Sequence, residues 1–74
     1  MEQSDWEAKV KNLLKAELKR KGITYAQLAE KLADVGVSES EPNIRNKLAR
    51  GKFTAVFLVQ CLEAIGTNKI SLSD

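Results

Sequence analysis

The sequence predicts an all-α fold of four short helices followed by a short C-terminal tail. Three observations carry that expectation. Apolar residues recur at spacings of three and four in four successive runs, the period of a helix with one buried face. Each run is followed by one of the chain's four glycines, Gly22, Gly36, Gly51 and Gly66, where a left-handed residue ends a helix. Each run is also preceded by a residue that can cap a helix: Ser4, Thr24, Ser40 or Glu41, and Thr54. The expected helices cover about residues 5–21, 25–35, 42–50 and 55–65, with a tail over 67–74, in a single domain. At 74 residues such a domain has little hydrophobic core to spare.

The first helix opens on Ser4-Asp5-Trp6-Glu7, which reads as a capping box with Glu7 reaching back to Ser4. Trp6, Val10, Leu13, Leu14 and Leu18 form its apolar stripe, with Trp6 as a core anchor. Asp5 and Glu7 in the first turn and Lys19-Arg20-Lys21 in the last complement the helix dipole. In the second helix Thr24 and Gln27 make another capping box, Ile23 and Leu28 a hydrophobic staple, and Leu28, Ala29, Leu32 and Val35 fall on one face. The third helix begins at Pro42, whose missing N–H has no helical partner in a first turn. Ile44 and Leu48 face inward and leave Asn43, Arg45, Asn46, Lys47 and Arg50 around the remainder.

The fourth helix, capped by Thr54 with Phe53 stapling onto Leu58, has only Gln60 and Glu63 as polar residues before Gly66. A helix apolar nearly all round is buried nearly all round. Either it is the central helix, or one of its faces belongs to a partner subunit. Phe57, Leu58, Cys61, Leu62 and Ile65 are expected inside, and Val56 and Val59 are interface candidates. In the tail, Lys69-Ile70-Ser71-Leu72-Ser73 alternates polar with apolar. Ile70 and Leu72 either cover the last helix or meet a second copy, or the terminus frays.

Composition narrows the chemistry. With 43% hydrophobic and 30% charged residues the chain is of globular type, and no apolar run approaches the length of a membrane span. The N-terminus MEQSDWE is acidic where a signal peptide is basic, so the expectation is a cytoplasmic protein. There is no histidine, which removes the commonest general base, and Cys61 is the single cysteine. Neither a metal nor a cofactor is expected, and no catalytic constellation is present: the reading is not an enzyme. The net charge is only +2, but ten of the twelve cations sit in two clusters. Lys9, Lys11, Lys15, Lys19, Arg20 and Lys21 lie on the first helix, and Arg45, Lys47, Arg50 and Lys52 on or after the third.

Residues 22–51 read as a helix, a break and a second helix that opens on proline, closes on glycine and carries cationic and amide side chains. That is a helix-turn-helix candidate. LAEKLADVGVSESEPNIRNKLARG, followed by a further apolar helix, resembles the lambda-repressor-like (Xre-type) helix-turn-helix family. The whole chain, from Trp6 through KNLLKAELKRKGITYAQLAEKL and PNIRNKLARGKF to FLVQCLEAIG, looks like a small bacterial domain family of unknown function. The chain departs from the repressor-like pattern where Ala33-Asp34-Val35 precede the turn glycine and where Tyr25 stands at a position many members fill with glutamine. The connection before the third helix is longer and more acidic than that pattern uses.

The repressor-like resemblance implies a DNA-binding domain, a bacterial transcriptional regulator acting as a homodimer. Carried onto this chain, it makes Asn43, Asn46, Arg45 and Lys47 the base-reading candidates and Thr24, Tyr25, Arg50 and Lys52 the phosphate contacts. The dimer-interface candidates are Val56, Val59, Ile70 and Leu72. Glu39, Glu41 and Pro42 stand against it, because carboxylates at the groove-facing end of the third helix are repelled by phosphate. The alternative is a protein-interaction or dimerisation module that keeps the fold and binds no DNA. RNA binding ranks last for want of a stacking array of exposed aromatics.

Overall fold

In a computed structural model, which describes residues 1–72, the chain folds into four helices: α1 (Gln3–Lys21), α2 (Tyr25–Asp34), α3 (Glu41–Arg50) and α4 (Ala55–Ala64). No strand occurs among the described residues. α2 packs against α3 and α4, and α1 packs against α3. Each helix contributes a pair of residues to a common core: Leu14 and Leu18, Leu28 and Leu32, Ile44 and Leu48, Phe57 and Cys61, closed by Ile65. No helix among the described residues is long and apolar enough to cross a membrane.

The helix starts follow local chemistry. The Thr24 hydroxyl accepts from the Gln27 backbone N–H at 3.1 Å while the Gln27 side chain accepts from the Thr24 N–H at 2.9 Å, the reciprocal box the sequence predicts. Ser40 caps α3 by accepting from the Asn43 N–H at 3.2 Å, and Thr54 caps α4 by accepting from the Phe57 N–H at 3.0 Å. α1 differs from expectation. It begins at Gln3, and it is the Asp5 carboxylate that accepts from the Glu2 N–H at 3.0 Å. Glu2 and Asp5 have the same i, i+3 spacing as Ser4 and Glu7 two residues earlier, so the earlier pair extends the helix and takes Ser4 and Glu7 into it.

α1, α2 and α4 finish in one way. After α2 the Gly36 N–H donates to the Ala33 carbonyl at 3.0 Å and the Val37 N–H to the Leu32 carbonyl at 2.9 Å, the paired bonds of a Schellman ending. Ile23 after α1 and Thr67 after α4 repeat the second bond, to the Leu18 and Leu62 carbonyls. The residue beyond the glycine is thereby turned inward. Val37 packs on the core, while Val35, expected on the inner face of the second helix, is the α2 cap and is exposed.

Trp6 is not a core anchor but is 50% exposed. The cause is length. α1 has 19 residues, about 28 Å of helix at 1.5 Å per residue, whereas α2, α3 and α4 have 10 each. The first turns of α1 lie well before its two core residues, Leu14 and Leu18, and reach the turn between α3 and α4, where Trp6 lines a shallow groove with Val10, Gly51 and Phe53. That turn is held close: a Cβ on Gly51 would lie 2.6 Å from the Glu7 carbonyl oxygen, and Gly51 has φ +67°.

At the other end of α1, polar side chains join it to the end of α4. Lys21 Nζ donates to the Ile65 carbonyl at 2.9 Å, and the Thr67 hydroxyl donates to the Glu17 carboxylate at 3.0 Å. Thr67 is buried, so the tail is anchored at its first residue. Beyond it Ile70 is half-buried and Leu72 exposed, and the end of the expected tail, Ser73 and Asp74, lies outside the described residues. α4 is not buried all round either. Phe57, Cys61 and Ile65 are in the core, Leu58 and Leu62 are half-buried, and Val56 and Val59 are exposed.

Candidate nucleic-acid interface

The face in question is the outer surface of α3. Because Ile44 and Leu48 are fully buried, the residues on the opposite side, Asn43, Asn46 and Arg50, are fixed outward. They recur at spacings of three and four, so they form one exposed strip along the helix, continued by Lys52 after the Gly51 cap. No hydrogen bond or ion pair within the described residues engages the side chains of Asn43, Asn46 or Arg50.

The other two candidates for base reading lie on the flanks, and each is engaged within the chain. Arg45 Nη2 is 3.0 Å from the Glu41 carboxylate, and its guanidinium sits 5.7 Å from the centroid of the Tyr25 ring. That contact brings the first residue of α2 against α3. Lys47 points to the opposite flank. Its ammonium is 2.8 Å from the Glu39 carboxylate and 4.5 Å from the centroid of the Phe57 ring, so it covers the core instead of joining the outer strip. Thr24 is exposed, with its oxygen accepting from Gln27, and Tyr25 is half-buried against the core with Arg45 over its ring.

The two carboxylates that would oppose an anionic ligand are thus each beside a cation: Glu39 with Lys47 and Glu41 with Arg45. Sequence reading missed both roles for different reasons. Glu41 and Arg45 are an i, i+4 helical pair that spacing alone can reveal. Glu39 and Lys47 are eight residues apart across a helix start, and only the fold brings them together.

Beneath this pair lies Cys61, fully buried. Burial pushes its thiol up to about 12, with the nearby Glu39 charge acting in the same direction and Lys47 against it. The thiol is held protonated, as expected for a small core residue. Away from the interface, the Arg20 guanidinium 2.7 Å from Glu17 holds that carboxyl below the ordinary carboxylate range against the effect of burial, and the Thr67 hydroxyl assists.

Four helices around one core, with an amide-and-arginine strip on α3 flanked by locally paired carboxylates, define a small helical domain. The chain belongs to the domain family of unknown function DUF6471, whose model matches residues 6–70. No curated protein and no solved structure matches the chain.

Proposed function

We propose that this chain binds double-stranded DNA, with α3 as the element that enters the major groove. The observation that carries the reading is the strip of Asn43, Asn46 and Arg50, exposed and with side chains that have no hydrogen-bond or ion-pair partner among the described residues, beside carboxylates already paired with Lys47 and Arg45. Asparagine bonds the N6 and N7 edge of adenine in a bidentate way, and arginine bonds guanine O6 and N7 or a phosphate. In this reading Asn43 and Asn46 contact bases, Arg50 and Lys52 the rim of the groove, and Thr24 and Tyr25 a backbone phosphate near the start of α2. Arg45 and Lys47 neutralise the acidic approach to α3 and shape it. The resemblance to the repressor-like helix-turn-helix family supports the same assignment. It adds the expectation of a regulator of transcription working on DNA in the bacterial cytoplasm.

The test is binding to random-sequence duplex DNA at two salt concentrations, comparing the intact chain with Asn46→Ala/Arg50→Ala. Binding should weaken steeply with salt, as counterion release requires. The double variant should bind more weakly and show a salt slope smaller by about 1 if Arg50 holds a phosphate. Absence of binding by the intact chain at low salt would remove DNA as the ligand. A second reading, a protein-interaction module on the same fold, would then stand on the two exposed valines of α4.

A further inference from the structure

α4 differs from the other helices in what it shows to water. Val56, Val59 and Glu63 share its outer face, and the two valines are 65% and 57% exposed. Apart from Trp6 at the end of α1, the exposed residues of α1, α2 and α3 are charged or polar side chains, alanine and a single proline. Valine is a weak helix former because its branched side chain loses χ1 freedom. At a solvated position it therefore costs propensity and gains no burial. The apolar strip runs into a shallow groove between α4 and the tail, lined by Val59, Leu62, Glu63, Thr67, Lys69 and Ile70. The groove has one anion, Glu63, on its α4 wall and one cation, Lys69, on its tail wall, and neither is ion-paired within the described residues.

We propose that this face is an interface between two copies of the chain, related by a two-fold axis running along the groove. Such an axis sets α4 of each copy against the tail of the other. Val59, Leu62 and Ile70 are covered, and each Glu63 meets the Lys69 of the other copy. A two-fold contact must be self-complementary. An apolar centre with one charge of each sign on opposite walls meets that condition, whereas a partner of one net charge would leave Glu63 or Lys69 unmatched. The strip is small beside the roughly 20–30 residues a side of a standard interface, so the association is reversible. It stands independently of the DNA reading, although a dimer would present two α3 helices at once.

Sedimentation equilibrium of the full chain over a range of about 5 to 500 μM tests this, a range that brackets a weak dimer. The intact chain is expected to pass from monomer to dimer. Val59→Lys should abolish the dimer while leaving the helical circular-dichroism signal and the thermal midpoint of the monomer in place, since Val59 is exposed. Glu63→Lys and Lys69→Glu should each weaken dimerisation by roughly five- to thirty-fold, because two like-charge contacts replace two surface ion pairs per dimer. The double exchange Glu63→Lys/Lys69→Glu should restore it. A monomer throughout overturns the proposal and leaves the face to a different protein. A dimer that survives Val59→Lys, or single exchanges that the double exchange does not rescue, overturns it too, because the copies then meet elsewhere.

Discussion

Gly51 is where the chain can least change. Its φ of +67° is left-handed, and the Glu7 backbone leaves no room for a Cβ. Gly36 has φ +83° but nothing within 4 Å of a built Cβ. Gly36→Ala should therefore lose about 1–2 kcal/mol, the cost of the left-handed conformation alone. Gly51→Ala should lose more, because α1 must also move off the turn. Urea denaturation midpoints of the two variants measure the difference. Glu17 makes a prediction about pH. Its carboxyl is held below the ordinary range by Arg20 and Thr67 in the folded chain, so the unfolded chain takes up a proton first as pH falls. The stabilisation is fully present above the unfolded value and is lost as pH drops through it towards the folded one. Thermal midpoints measured from pH 6 down to pH 3 should fall less steeply in Glu17→Gln than in the intact chain.

At the level of the helices, stability depends on end chemistry and on what lies opposite each face. Thr54→Ala removes the acceptor for the Phe57 N–H and should cost about 1 kcal/mol in chemical denaturation. Leu14→Ala, in the core, should cost about 2–5 kcal/mol, and Trp6→Ala distinctly less despite the larger side chain removed. Helix ends are legible in the sequence because caps are made by residues three apart: the Thr24–Gln27 box, Thr54 and all the terminal glycines fall where spacing puts them, while of the two cap candidates for α3 the structure takes Ser40 and draws Glu41 into the helix, one residue before the expected start at Pro42. The start of α1 lies two residues before the one that Ser4 and Glu7 predict because Glu2 and Asp5 offer the same spacing. Burial was legible only in part. Periodicity places Trp6 in phase with Val10 and Leu13, but whether a neighbour covers it depends on the lengths of α2, α3 and α4. The outward strip on α3 follows directly from Ile44 and Leu48 being core, whereas the inward turn of Lys47 depends on Glu39 and Phe57 arriving from other segments.

The whole molecule has one thiol, and it is fully buried in the core to which all four helices contribute. Alkylation of Cys61 near neutral pH should be slow in the intact chain and accelerate in Gly51→Ala in proportion to the rise in the unfolded population, about tenfold for each 1.4 kcal/mol. Reaction at the speed of a free thiol in the intact chain would contradict the packing of α4 on α2. The protein also has one tryptophan, and its place at the N-terminal end of α1 makes it an optical reporter of an unusual kind. Trp6 emission should be shifted to the red of a core indole even in the native state. During refolding it would record the docking of the α1 end onto the Gly51 turn, while the closing of the leucine core passes without a direct fluorescence signal. A difference in rate between Trp6 emission and the helical circular-dichroism signal would then resolve in time two events that the folded chain holds together in space.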